Sequence, residues 1–170
     1  MKSFFLSFFV LSAMAACGQA DKSQRPSTPA LVKEILNNGA TVSIDYSQPA
    51  VKGRTIGTDL EPMEGKVWRT GANEATIFEA DKDVKIEDQP LPAGKYGLFS
   101  IMNGDEWTII FNKTWKQWGA FTYKEADDAL RVKVKSIKSP QFSERMTFLV
   151  GKDGKITLLW GDIEVDFMVK

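Results

Sequence analysis

From residue 41 onward the apolar residues fall on every second position. They do so in Thr41-Val42-Ser43-Ile44-Asp45-Tyr46, at Trp107, Ile109 and Phe111, at Val132 and Val134, and at Met146, Phe148 and Val150. The pattern returns at Ile156, Leu158 and Trp160, and again at Ile163, Val165, Phe167 and Val169. Successive side chains of an extended chain point to opposite faces, so this period describes strands with one face buried. Turn-forming residues separate the runs: Asn37-Asn38-Gly39, Asn103-Gly104-Asp105, Lys152-Asp153-Gly154 and Gly161-Asp162. The last three runs are therefore predicted to form a meander. Residues 31–36 would suit a helical turn or a strand, and the Asn-Asn-Gly behind them favours a hairpin. Residues 123–130, poor in strand formers, predict a short helix or a loop. Nine or ten short strands in about 140 residues predict an all-β, single-domain antiparallel β-sandwich with little helix. A barrel is the alternative, since it shares the same alternation.

The first residues follow a different logic. Lys2 precedes the apolar run Phe4-Phe5-Leu6-Ser7-Phe8-Phe9-Val10-Leu11, and the small residues Ala13, Ala15 and Ala16 lead to Cys17. A charged start, a short apolar run and a small-residue exit describe a signal peptide over residues 1–16. The run is shorter than the roughly 20 residues needed to span a bilayer. Cys17 is the single cysteine of the chain, so it has no intramolecular disulfide partner. Its place directly after Ala15-Ala16 resembles a bacterial lipobox, with Met14 standing where an aliphatic residue is usual. The expectation is an exported protein, lipidated at Cys17 and held in the bacterial cell envelope, on the periplasmic face or the outer membrane, with the membrane as a partner through that anchor. Ordinary secretion after Ala15 is the other reading. Residues 17–30 are polar and are expected to be a flexible tether, with the β-domain at 31–170.

Charge and composition narrow the chemistry. Without residues 1–16 the chain keeps 21 basic and 22 acidic side chains, a balance that offers no field for nucleic acid or for anionic lipid headgroups, so no partner held by bulk charge is expected. Histidine is absent, which removes Ser-His-Asp and Cys-His nucleophile systems and the usual ligand of catalytic zinc. There is no Gly-x-x-x-x-Gly-Lys-Ser/Thr phosphate loop, and no cofactor is called for. Carboxylate-only hydrolysis stays open, with Asp45, Glu61, Glu74 and Asp127 or Asp128 as candidates. Calcium at Asp81 and Asp83 is weaker than a plain polar turn.

The densest mixture of chemistry is Trp68-Arg69-Thr70-Gly71-Ala72-Asn73-Glu74. Arg69 offers a rigid fork of donors for a carboxylate or phosphate, Asn73 both donor and acceptor, and Trp68 a flat apolar surface. Together with Lys52 and Arg54, these residues and Glu74 are the candidate binding site for an anionic or sugar-like group. The structural alternative pairs Arg69 with Glu74 or Asp45, lets Asn73 bond its own backbone, and puts Trp68 in the core. Trp107 and Trp160 fall on buried strand phases. Trp115 and Trp118 lie in a lysine-containing loop, where they suit either a stacking platform for a sugar ring or a cover for an open end of the fold.

The blocks 46–54, 67–76, 91–99 and 106–113, with Trp118-Gly119, together resemble the family catalogued as domain of unknown function 2911, common in bacterial envelope proteins. The resemblance spans roughly residues 40–150 and implies a secreted β-rich domain. It brings no activity, cofactor or catalytic residue. The expected function is a non-catalytic binding module for a small ligand, glycan or envelope protein; a carboxylate-dependent hydrolase acting on glycans is the alternative.

Overall fold

The computed structural model describes residues 22–170. Residues 1–21, and with them the signal peptide and Cys17, lie outside the described residues. Ten strands follow in order: β1 (Thr28–Ile35), β2 (Thr41–Gln48), β3 (Val67–Trp68), β4 (Thr76–Ala80), β5 (Val84–Ile86), β6 (Gln89–Leu91), β7 (Gly94–Asn103), β8 (Glu106–Asn112), β9 (Asp128–Val150) and β10 (Lys155–Met168). Among the described residues helix is confined to two 3-10 turns, Lys22–Gln24 and Glu125–Asp127. The fold is all-β.

Seven strands pair antiparallel in the order β1-β2-β4-β7-β8-β9-β10, with β3 added to β7 and β5–β6 forming a separate hairpin. Where a sandwich would have two facing sheets, this is one sheet curled into a half-barrel. The curl is closed by the length of β9. Its first half pairs with β8 and its second half with β10. Near residue 145 it also meets the chain leaving β2: Val51 N–H donates to Glu144 O and Met146 N–H to Pro49 O, both close to 2.9–3.0 Å. Phe148 N–H donates to the Tyr46 hydroxyl at 3.0 Å, and the two rings meet edge to face.

The inner wall is the alternation made solid. Val42, Ile44 and Tyr46 of β2, Trp107, Ile109 and Phe111 of β8, and Ile156, Leu158 and Trp160 of β10 are all buried in one core. Phe78, Phe111 and Phe167 meet edge to face at its centre, the arrangement ring quadrupoles favour. A smaller apolar cluster of Ala75, Phe99 and Ile110 lies apart from this core, with Ala120 and Tyr123 of the 113–124 loop packed onto it. The loop therefore covers part of the sheet. The predicted hairpin over Asn37-Asn38-Gly39 is present as β1–β2.

Two boundaries differ from the sequence reading. β1 opens at Thr28, and Pro29 and Ala30 already pair with Ser47 and Tyr46, so the domain starts before residue 31. Polar composition hid this because β1 is an edge strand with one face half-buried and the other exposed. The second difference is that Gly161-Asp162 does not reverse the chain. β10 runs through it with register shifts on either side of Gly161. This is a bulge, which inserts a residue and moves the buried phase from Trp160 to Val165. The expected three-strand meander is two long strands.

Candidate functional site

The Trp68–Thr76 stretch turns the chain from β3 into β4. Thr70 and Asn73 adopt φ of 47° and 61°, a region Asn tolerates and a β-branched Thr does not. Holding Thr70 there costs about 1–3 kcal/mol and needs surroundings that impose it. They do. Thr70 is buried, its hydroxyl donates to Ser100 Oγ at 3.0 Å, and Thr76 Oγ1 donates to Thr70 O at 2.8 Å. Trp68 Nε1–H donates to Gly71 O at 3.1 Å, and a Cβ on Gly71 would stand 2.7 Å from Thr76 Oγ1. The turn is a packed knot, and Arg69 projects from it.

Arg69, Asn73, Trp68 and Arg54 line one cleft of about 350 Å³, together with Asp59, Glu61 and Trp160. Four of the six residues expected from the sequence thus come together; Lys52 is exposed and, like Glu74, does not line this cleft. Trp68 is mostly core and gives the cleft only part of its wall. Arg54 folds back on its own loop, its Nε donating to Val51 O at 3.1 Å and Nη2 to Ala50 O at 2.6 Å. Asn73 Nδ2 donates to Ser27 O at 3.2 Å and not to its own backbone.

Arg69 is the exception to this pairing. Its Nε is buried without a hydrogen-bond partner, and among the described residues its guanidinium forms no ion pair. The expected structural partners are engaged elsewhere or absent: Glu74 binds Arg25 and Lys22. Each of the cleft's own carboxylates accepts one bond from its loop, and the Glu61 backbone carbonyl accepts a third. Asp59 Oδ1 accepts from Thr55 N–H at 2.6 Å, Glu61 Oε2 from Met63 N–H at 2.9 Å, and Trp160 Nε1–H donates to Glu61 O at 2.8 Å. Burial lowers the Arg69 pKa from its ordinary value, and the nearby charge of Glu61 works against that shift.

Glu74 separates from the group. It lines a neighbouring cleft of about 410 Å³ with Lys22, Asp45, Tyr46, Trp115, Lys116, Gln117 and Trp118. Its carboxylate accepts from Arg25 Nη1 at 2.6 Å, and Lys22 Nζ lies at 3.2 Å. Burial works to raise its pKa, but these bonds outweigh burial and hold it below the ordinary glutamate range. A glycosidase acid needs the opposite shift, so the Asp45–Glu74 cleft lacks a raised acid at Glu74. The Asp127 and Asp128 candidates are structural: Asp128 accepts from Asn112 Nδ2, the Tyr123 hydroxyl and Arg131 Nε at 2.6–2.7 Å, and Asp127 from Thr114 Oγ1. Burial first, and then its bond to Asp128, push the Tyr123 phenol up to about 12. Asp81 and Asp83 accept from the Thr41 and Ala93 amides, and among the described residues no acidic cluster could hold a metal.

Sequence reasoning missed the contribution of residues 22–27, which supply Lys22 and Ser27 to these clefts and Arg25 to the Glu74 carboxylate. It also missed the separation of Asn73 from Glu74. No curated protein and no solved structure matches the chain. The profile of the family described as "Protein of unknown function (DUF2911)" matches residues 27–169, wider at both ends than the resemblance over 40–150 and starting just before β1. By that match over most of its length, the chain belongs to the DUF2911 family.

Proposed function

We propose that this is an exported lipoprotein, anchored through Cys17 in the cell envelope, whose half-barrel is a non-catalytic binding module. Its ligand presents an anionic group, a carboxylate or phosphate, to Arg69. The observation that carries the reading is the unpartnered Nε of Arg69 inside a cleft where neither carboxylate is hydrogen-bonded to it. Buried polar groups are almost always paired, and an orphan donor calls for a partner. Arginine supplies the planar fork that a carboxylate or phosphate fills with two bonds. The strained Thr70 beside it supports the same reading, because such strain gathers at functional sites.

The test is thermal unfolding of the mature chain with a panel of carboxylates, phosphate and acidic sugars, on wild type and Arg69→Met. A true ligand at about a hundred times its dissociation constant adds about 2.7 kcal/mol, and the variant should lose the response. A panel that stabilises both proteins equally, or neither, refutes the site. The anchor is tested separately: wild type should fractionate with membranes, and Cys17→Ala should leave them.

A further inference from the structure

We infer that the loop of residues 113–124, with Lys22 and Arg25 beside it, is a docking face for an anionic lipid bilayer. Between Lys113 and Lys124 the sequence holds three lysines, no acidic residue and the aromatics Trp115, Trp118, Phe121 and Tyr123. Aromatic rings mixed with lysines are the composition that settles at the headgroup boundary. The near-neutral whole chain conceals this local bias.

The structure divides the aromatics by role. Tyr123 serves the fold: it stacks on Phe99 at 5.1 Å and its hydroxyl joins Asp128 and Arg131. Trp115 is half-buried, with Lys95 Nζ 5.5 Å from its ring centre. Trp118 and Phe121 are 55% and 84% exposed, and the core takes nothing from either. Lys113, Lys116 and Lys124 are exposed, and none of them forms an ion pair among the described residues.

This loop is built. Ala75 N–H donates to Gln117 O and Gly119 N–H to Asn73 O, both at 3.0 Å. Gln117 Nε2 donates to Thr114 O at 2.6 Å, and Thr122 Oγ1 to Gln117 Oε1 at 3.0 Å. A rigid platform presents its exposed rings without a further ordering cost on contact.

Position selects the occupant. The described chain begins at Lys22, which shares a cleft wall with Trp115, Lys116 and Trp118, and the Arg25 guanidinium lies 5.6 Å from the Trp118 ring centre. Lys22 lies five Cα steps after Cys17, at most about 18 Å of extended chain. If Cys17 is acylated, this face is tethered close to the headgroups. That step rests on the proposed anchor; composition, exposure and charge do not, and neither depends on the Arg69 cleft. Of the acidic groups beside the loop, Glu74 is bound by Lys22 and Arg25 and Asp127 accepts from Thr114, while Asp45 lines the cleft shared by Lys22 and Glu74. Glu125 binds Arg131.

The experiment uses the mature chain carrying Cys17→Ser, so that no acyl chain contributes. Its co-sedimentation is compared on vesicles of phosphatidylcholine alone and with added phosphatidylglycerol. Binding should be about tenfold tighter to the anionic vesicles, weakening with salt. The double variants Trp118→Ser with Phe121→Ser, and Lys113→Glu with Lys116→Glu, should each lose about that factor while melting as wild type does. Absence of binding to anionic vesicles, equal binding to both vesicle types, or binding unchanged in either variant overturns the inference. Failure of membrane fractionation by the acylated protein would bear on the anchor alone.

Discussion

Two arginines in this protein stand in opposite circumstances, and a stability measurement tells them apart. Arg131 is bound by Asp128 at 2.6 Å and by the Tyr123 hydroxyl, with Glu125 at 3.2 Å. Asp128 keeps an 8% exposed side chain and also accepts from Asn112. Removing that carboxylate in Asp128→Ala strands three donors at once and should cost about 3 kcal/mol in denaturant unfolding. Arg69 has no such partner to strand, so Arg69→Met should cost below about 1 kcal/mol. A loss above about 3 kcal/mol at Arg69 would mean that the guanidinium serves the fold. The residue types around Arg69 were legible in the sequence because a fork donor, an amide and a tryptophan in seven positions are conspicuous. The fate of Glu74 was not legible. The left-handed backbone at Asn73 sends adjacent side chains into different clefts, and adjacency along the chain carries no sign of that.

Among the elements, β10 shows how much a pattern of alternation contains and where it stops. The even buried positions Ile156, Leu158 and Trp160 give way to the odd positions Val165, Phe167 and Val169. A turn and a bulge both produce that change, and Gly-Asp suits either, so the choice rests on pairing partners outside the segment. Gly161 is favoured by its backbone and is crowded on one side by the end of a side chain. Its φ is 62°, and an added Cβ would fall 2.7 Å from Ile56 Cδ1. Gly53 has a similar φ of 71° with nothing within 4 Å. Gly53→Ala should therefore cost about 1 kcal/mol from backbone conformation alone, and Gly161→Ala up to about 1 kcal/mol more from displacing the end of the Ile56 side chain. Adding Ile56→Ala should recover part of the excess in a double-mutant cycle. Equal costs at the two glycines would show that the bulge has room to spare.

At the scale of the whole molecule, strand content and the all-β class were legible because burial on one face leaves a period of two in nearly every strand. The half-barrel was not, since closure depends on Met146 and Phe148 of β9 meeting the end of β2, about a hundred positions away. Nor was the docking of residues 22–27, whose polar composition reads as a tether and whose hold on the domain comes from charge. That hold makes the last prediction. Lys22 and Arg25 reach the domain through Glu74, with Ser27 O bonded to Asn73 nearby. The folded Glu74 pKa is depressed, against burial, by Arg25 and Lys22. A depressed carboxylate contributes stability that is complete above its unfolded value, near 4.3, and is lost as pH falls through the lower folded value. Residues 22–27 should therefore be protected from hydrogen exchange at neutral pH and lose protection below about pH 4, ahead of the core strands. Glu74→Gln should remove the protection at neutral pH and leave the core unchanged. Protection of this segment that is flat across the acid range, or that survives Glu74→Gln, would assign its docking to the Ser27–Asn73 bond and the Arg25 contact with Trp118.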